Sequence, residues 1–221
     1  MRFNFKKIFV QRVINEDFIW RLNAENIISR FPDAEVSEVE SHWQIPELFA
    51  ADAGDWMQSK RENLVLGIKS GLTHTKNGRS ADFIAASNSN GCLSSCQYCY
   101  VARRKGGSNP LTIFVNIEEI AASIRKHQKK LGAKLEPNQC DAKFWTYDIG
   151  CNADLSADSF ICDNPAFLIK EFATMENAKA TFATKTVRDD YWLKIDPKSK
   201  TRIRYSLMPQ SIARYVDIGT S

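Results

Sequence analysis

The chain has 221 residues, of which 43% are hydrophobic and 25% charged, and these proportions exclude disordered and fibrous proteins. Its 30 basic and 26 acidic residues give a formal net charge of +4, which permits an anionic partner without requiring one. No apolar run is long enough to span a membrane, and no secretory signal follows the basic start. We therefore expect a cytoplasmic protein with no membrane partner.

The predicted elements before residue 63 form a small βαβ unit. A β-branched and aromatic stretch over 6–14 predicts a strand, and Asn15 is the predicted cap of the helix that follows. An alternating pattern over 34–39 predicts the second strand. Residues 42–62 are poorly patterned and are interpreted as a connector. The predicted domains are therefore an N-terminal unit with its connector at 1–62 and a core at 63–221.

Strands and helices alternate through this core. The patterns predict strands over 63–69, 82–86, 111–115, 143–149, 178–184 and 201–207, and helices over 116–131, over 164–173 and from Pro209 onward. Such alternation implies right-handed crossovers and a parallel sheet, so the predicted fold class is α/β. Because the last helix should lead into a further strand, we expect a core that is truncated at its C-terminal end.

Three of the six cysteines, Cys92, Cys96 and Cys99, lie on one short segment with CxxxCxxC spacing. Three thiolates on one loop can hold three corners of a cubane iron–sulfur cluster, which leaves the fourth iron open to a substrate or cosubstrate. A zinc site is an alternative, but it needs a fourth ligand, which Cys140, Cys151 or Cys162 could supply. Unligated thiols are the third interpretation.

This cysteine loop resembles that of the radical S-adenosylmethionine (radical SAM) enzymes, and further stretches narrow the resemblance to the spore photoproduct lyase family. They are Asn90-Gly91-Cys92, Tyr98-Cys99-Tyr100-Val101, Phe114 to Ile120, Thr146 to Gly150, Phe182 to Lys185, Arg202 to Ser206 and Arg30 to Val36. The resemblance covers nearly the whole chain. It implies a partial, incomplete radical SAM βα barrel preceded by the small N-terminal βαβ unit.

The resemblance also implies two cofactors, a [4Fe-4S] cluster on the three clustered cysteines and S-adenosyl-L-methionine (SAM). Reductive cleavage of SAM would give a 5′-deoxyadenosyl radical, which abstracts a hydrogen atom from the substrate. Tyr98 resembles the aromatic residue that contacts the adenine, and Asp148 resembles a residue that holds the SAM amino group or ribose. Lys185 and Ser206 resemble partners of the SAM carboxylate.

The implied activity is that of a carbon–carbon lyase acting on a pyrimidine dimer in DNA or on a related substrate, with electrons from an unidentified reductant protein. The basic loop Arg103-Arg104-Lys105 is a candidate contact for nucleic-acid phosphates, or else a solvated loop.

One stretch departs from the family in this interpretation. The family has a Cys-Thr-Ser-Asp stretch whose cysteine returns a hydrogen atom to the product, and the matching residues are read here as Trp145-Thr146-Tyr147-Asp148. Tyr147 and Cys151 are then the candidate hydrogen donors. The loss of the donor cysteine favours one alternative, a radical SAM enzyme with a non-DNA substrate. A second alternative, of a different class, is a non-catalytic cluster-binding or zinc-binding protein.

Overall fold

The computed structural model describes residues 3–48, 53–94, 96–103 and 110–217, without the side chains of 53–57, 102 and 103. The strands in this part of the chain are β1 (Lys7–Gln11), β2 (Glu35–Val39), β3 (Asn63–Gly67), β4 (Thr75–Lys76), β5 (Phe83–Ile84), β6 (Ser89–Asn90), β7 (Leu111–Phe114), β8 (Trp145–Asp148), β9 (Ala178–Thr184) and β10 (Thr201–Tyr205). The α-helices are α1 (Phe18–Ile28), α2 (Ala53–Glu62), α3 (Ile117–Leu131), α4 (Leu155–Asp158), α5 (Asn164–Thr174), α6 (Asp189–Trp192) and α7 (Gln210–Val216). None of the helices so described has the length and apolar character needed to cross a membrane.

The strands form two sheets of five strands each. The first sheet has the order β2-β1-β3-β7-β6, and the second has the order β10-β9-β8-β5-β4. Among the described pairs, β4 with β5 and β6 with β7 are antiparallel, and the others are parallel. The predicted α/β class with parallel pairing is therefore confirmed.

The N-terminal strands share a sheet with strands of the predicted core. β1 pairs with β2 on one side and with β3 on the other, where Ile8 lies opposite Leu64. Residue 62 therefore does not separate two sheets. The predicted helix cap was wrong: a 3₁₀ turn occupies Arg12–Glu16, and the carboxylate of Asp17 accepts hydrogen bonds from the first turn of α1. The predicted connector contains α2.

Helices cover both sheets and enclose two main hydrophobic cores. Ile27 of α1 packs with Leu64 and Leu66 of β3 in the first sheet. Helices α3 and α5 lie on the second sheet, where Ile124 and Phe172 belong to the same buried cluster as Phe182 of β9. Since α3 and α5 occupy one face of this sheet, alternate side chains of β8 and β9 are directed towards them.

The segment from β5 to β6 carries the chain from the second sheet to the first. Ala85 donates a backbone hydrogen bond to Asp148 of β8, and Asn88 accepts one from Phe114 of β7. Gly91 follows with φ at 104°, where an added Cβ would lie 3.1 Å from the Pro110 carbonyl oxygen. This crossing places the cysteine loop at the junction of the two sheets.

Candidate cofactor site

A cavity of about 190 Å³ lies between the cysteine loop and the carboxyl ends of β9 and β10. Its lining includes side chains from the loop, from the β8–α4 connection and from the two strand ends: Cys92, Cys96, Tyr98, Cys99, Asp154, Thr184, Lys185 and Ser206. The carboxyl ends of parallel strands are where α/β folds commonly bind ligands. The structure therefore brings together six of the predicted site residues.

The three cysteines suit a multi-iron cluster by their chemistry and placement. All three line the cavity and are free thiols. Burial, followed by the charge of Asp154, raises the pKa of Cys92 to about 12. Among the described residues no three His, Cys, Asp or Glu side chains converge on the position of a single metal ion. A cubane does not require such convergence, because each thiolate binds a different iron.

Lys185 connects the predicted SAM-binding residues. Its Nζ donates a hydrogen bond of 3.1 Å to the Ser206 carbonyl oxygen and lies 5.6 Å from the centroid of the Tyr98 ring. The same ammonium is 2.9 Å from a carboxylate oxygen of Asp217, and the Tyr98 hydroxyl donates to the other oxygen. A positive charge, an aromatic ring and a backbone carbonyl therefore meet at one wall of the cavity.

Asp217 is a site residue that the sequence did not reveal. It follows α7, and its side chain is only 5% exposed. The backbone N–H of Gln97 donates to the Val216 carbonyl oxygen at 2.9 Å, which fixes the end of α7 on the cysteine loop. Asp217 also raises the pKa of Cys96, although burial contributes more.

Asp148 is not among the cavity residues. Its carboxylate lies 2.8 Å from an Arg204 guanidinium nitrogen and accepts a hydrogen bond of 3.1 Å from the Gly150 N–H. Asp154 lines the cavity in its place, where it caps α4 and accepts a 3.0 Å hydrogen bond from the Lys185 N–H. The structure thus separates Asp148 from the other residues predicted to bind SAM.

Tyr147 and Trp145 are directed towards the helix layer. Tyr147 is fully buried, its hydroxyl is 2.7 Å from His127 Nδ1, and its ring stacks on Phe83. Two residues earlier, Trp145 donates from Nε1 to the Gly132 carbonyl oxygen at 3.0 Å. Because both side chains occupy this face of β8, the placement of Tyr147 does not suit a hydrogen donor to a substrate in the cavity.

Lys60 contacts the cysteine loop without lining the cavity. Lys60 is completely buried, and its Nζ donates a 2.8 Å hydrogen bond to the Ser94 carbonyl oxygen. Burial lowers the pKa of Lys60, and the nearby charges of Cys92, Cys99 and Cys96 oppose this effect. The unpatterned stretch over 42–62 gave no signal for this contact.

The family model described as spore photoproduct lyase matches residues 19–221. The chain belongs to the spore photoproduct lyase family. The spore photoproduct lyase of Bacillus subtilis is 24% identical over 187 residues, which cover 85% of this chain and 52% of the relative. The spore photoproduct lyase of a Geobacillus species is 21% identical over 187 residues, which also cover 85% of this chain and 52% of the relative. The chain therefore spans about half the length of these curated relatives.

Solved structures of spore photoproduct lyase have the same fold. A variant with bound AdoMet and dinucleoside spore photoproduct matches with a TM-score of 0.84 at 18% identity, over 100% of this chain and 62% of that chain. A complex with dinucleoside spore photoproduct matches with a TM-score of 0.84 at 19% identity, with the same coverage. At this level of identity the likeness establishes the fold alone.

Cys151 begins a second stretch that resembles the Cys-Thr-Ser-Asp stretch of the spore photoproduct lyase family. Cys151-Asn152-Ala153-Asp154 has a cysteine three residues before an aspartate, as in the family's Cys-Thr-Ser-Asp stretch. Ala153 and Asp154 line the cavity, and the Asn152 carbonyl accepts a 3.0 Å hydrogen bond from Gly91. This cysteine–aspartate spacing provides a second candidate alignment for the family's donor cysteine, at Cys151, besides the predicted one at Trp145.

Cys151 is also in contact with the cysteine loop. The Tyr100 hydroxyl donates to the Cys151 carbonyl oxygen at 2.7 Å and lies 3.7 Å from its Sγ. The remaining cysteines, Cys140 and Cys162, do not line the cavity. Cys151 does not line the cavity either, but it is bonded to Tyr100 of the cysteine loop and lies two residues before the cavity residue Ala153.

The structure describes only a small part of the basic loop. Arg104 and Lys105 lie outside the described residues, and only the backbone of Arg103 is described, in the 3₁₀ turn Tyr100–Arg103. Nucleic-acid binding by this loop remains a prediction.

Proposed function

We propose that this chain is a radical SAM enzyme of the spore photoproduct lyase type. The observation that carries the proposal is the convergence of the three cysteines with Tyr98, Lys185 and Ser206 on one cavity. The two sheets would form the wall of a partial radical SAM barrel around it. The match to lyase structures with bound AdoMet and spore photoproduct supports the same cofactor and substrate class.

Different cavity residues would bind the cluster and SAM. Cys92, Cys96 and Cys99 would hold a [4Fe-4S] cluster. When bound, the reduced cluster and SAM supply the one-electron cleavage that removes a hydrogen atom from the substrate. Lys185, held by the Ser206 carbonyl, presents its ammonium to the methionine carboxylate. The Tyr98 ring, more than half of which is exposed, offers a face for the adenine.

The Cys151 thiol is the proposed source of the hydrogen atom returned to the product. Tyr100 fixes its position through the 2.7 Å hydrogen bond to the Cys151 carbonyl. Because a cysteine occupies this place beside the site, repair of a pyrimidine dimer such as spore photoproduct is favoured over a reaction with a non-DNA substrate. The basic loop would contact the DNA backbone, and a reductant protein would supply the electron.

The test is anaerobic reconstitution with iron and sulfide, followed by reduction with SAM and dinucleoside spore photoproduct. We expect a cubane electron paramagnetic resonance signal that SAM perturbs, together with 5′-deoxyadenosine and repaired dinucleotide. A cubane that does not respond to SAM would refute the enzyme proposal. Zinc uptake without a cluster would refute the site assignment as well.

The role of Cys151 is tested separately with Cys151→Ser and with Cys140→Ser as a matched control. We expect Cys151→Ser to form 5′-deoxyadenosine but to produce repaired dinucleotide at least about tenfold more slowly, a change of about 1.4 kcal/mol in transition-state free energy. Cys140→Ser should repair like the native chain, because Cys140 is hydrogen-bonded to Arg79 and Arg202, whereas Cys151 contacts Tyr100 of the cysteine loop. Equal repair by both variants would exclude Cys151 as the donor.

A further inference from the structure

Lys60 is a fully buried basic residue that is bonded to the cysteine loop of the proposed cluster site. Its Nζ donates a 2.8 Å hydrogen bond to the carbonyl of Ser94, which lies midway between Cys92 and Cys96 along the chain. Helix α2 belongs to the N-terminal part of the protein, so this ammonium reaches the cysteine loop from outside the core strands. Among the side chains that the structure describes, Lys60 connects α2 to the cysteine loop through this hydrogen bond.

Burial of an ammonium is costly unless negative charge compensates it. One contribution comes from α2 itself, because Lys60 lies in the last turn, where the helix dipole favours a cation. The other would come from the cysteines, because Nζ bonds the carbonyl of Ser94, which lies between Cys92 and Cys96 along the chain. This compensation is strongest when all three sulfurs are thiolates, as they are when they bind iron.

We propose that Lys60 is a positioning residue that sets the electron affinity of the cluster. The inference rests on the proposed function, since it requires a cluster on the three cysteines. A cubane bound by three thiolates carries net negative charge, and reduction adds one more negative charge. A fixed ammonium in a site of low dielectric stabilises the reduced form more than the oxidised form. Lys60 therefore raises the reduction potential and makes the cluster easier to reduce.

The experiment is a redox titration of the reconstituted chain, monitored by electron paramagnetic resonance, for the native protein, Lys60→Met and Arg61→Met. Methionine fills a similar volume without charge. Arg61 is a matched control, because it is the next residue of α2 and carries the same charge, but is exposed. Iron and sulfide content and thermal unfolding are measured on each variant before titration.

We expect the ratio of reduced to oxidised cluster at a fixed solution potential to fall about tenfold or more in Lys60→Met. A tenfold change corresponds to about 59 mV for a one-electron couple. Arg61→Met should change this ratio less than about twofold, since solvent screens its charge. A Lys60→Met titration within twofold of the native curve would overturn the inference and leave the proposed function intact.

Loss of the cluster would also be informative. If Lys60→Met folds but binds no iron, Lys60→Arg is reconstituted in its place. Iron uptake by Lys60→Arg supports a requirement for a positive charge at this position. If neither variant binds iron, the shape of the lysine side chain and not its charge is required, and the inference is overturned. If the native chain itself binds no cluster, the proposed function fails together with this inference.

Discussion

Replacement of Asp217 by asparagine is expected to tighten SAM binding. The Lys185 ammonium, which we propose as the partner of the SAM carboxylate, lies 2.9 Å from the Asp217 carboxylate. The two carboxylates therefore compete for one ammonium, and SAM must displace Asp217 as it binds. Asparagine keeps the shape of the side chain and an oxygen that can accept from Tyr98, but it removes the competing charge.

The size of the effect follows from the burial of this pair. The side chains of Lys185 and Asp217 are 15% and 5% exposed, so little water screens them. A hydrogen bond that involves charged groups contributes about 1.5–3 kcal/mol. Part of this is retained, because Lys185 also donates to Ser206 and an amide oxygen is still a weak acceptor. At about 1.4 kcal/mol for each factor of ten, the dissociation constant should fall about tenfold.

The measurement is anaerobic isothermal titration calorimetry of SAM into the reconstituted protein. Asp190→Asn is the control, because the exposed Asp190 carboxylate forms an ion pair of 3.1 Å with Arg188 and Asp190 does not line the cavity. It should leave the dissociation constant unchanged. If Asp217→Asn binds SAM no more tightly than the native chain, Asp217 does not compete with the cofactor carboxylate and the reasoning is refuted.

Three further predictions concern iron loading and stability. Cys92→Ser should hold well under one cluster per chain while Cys140→Ser holds a full one, and equal iron and sulfide contents would contradict this assignment. Lys134→Met should lower the free energy of unfolding in urea by about 3 kcal/mol, because the carboxylate of Asp82 then stays buried without its ammonium, and a loss below about 1 kcal/mol would contradict this. Burial raises the pKa of Asp158 from 3.8 to about 8, so the folded chain holds this proton more tightly and its stability falls as pH rises through that interval. Asp158→Asn should reduce the pH dependence of the free energy of unfolding, measured by urea titrations at several pH values. The same pH dependence in the variant and the native chain would contradict this prediction.

Elements whose stability is local could be predicted from the sequence. The helix predicted over 116–131 is observed at Ile117–Leu131, with Glu118 and Glu119 in its first turn and basic residues in its last. Strand β9 has the predicted bounds of 178–184. Helix α2 was missed because its sequence has no apolar stripe, and its contact to the cysteine loop is made by the polar end of a lysine.

The same distinction separates the site residues. The cysteine spacing and the positions of Lys185 and Ser206 at strand ends are local patterns, and the structure brings all of them to one cavity. Asp217 and Lys60 reach the site only because α7 and α2 fold against the cysteine loop, which no local pattern records. Residues 149–153 lie between β8 and the aspartate that caps α4, so Asp154 reaches the cavity from a connection that carries no strand or helix pattern.

The crossing of the chain between β5 and β6 has a consequence for the order of assembly. β5 is completed by β8, far along the chain, and β6 by β7, which itself needs β3. Pairings between distant parallel strands form slowly, because the intervening loops must close before the contacts stabilise them. The cysteine loop follows β6 directly, so its geometry is set only when both sheets exist. On the proposed function, insertion of iron is therefore expected to be a late step on a folded scaffold.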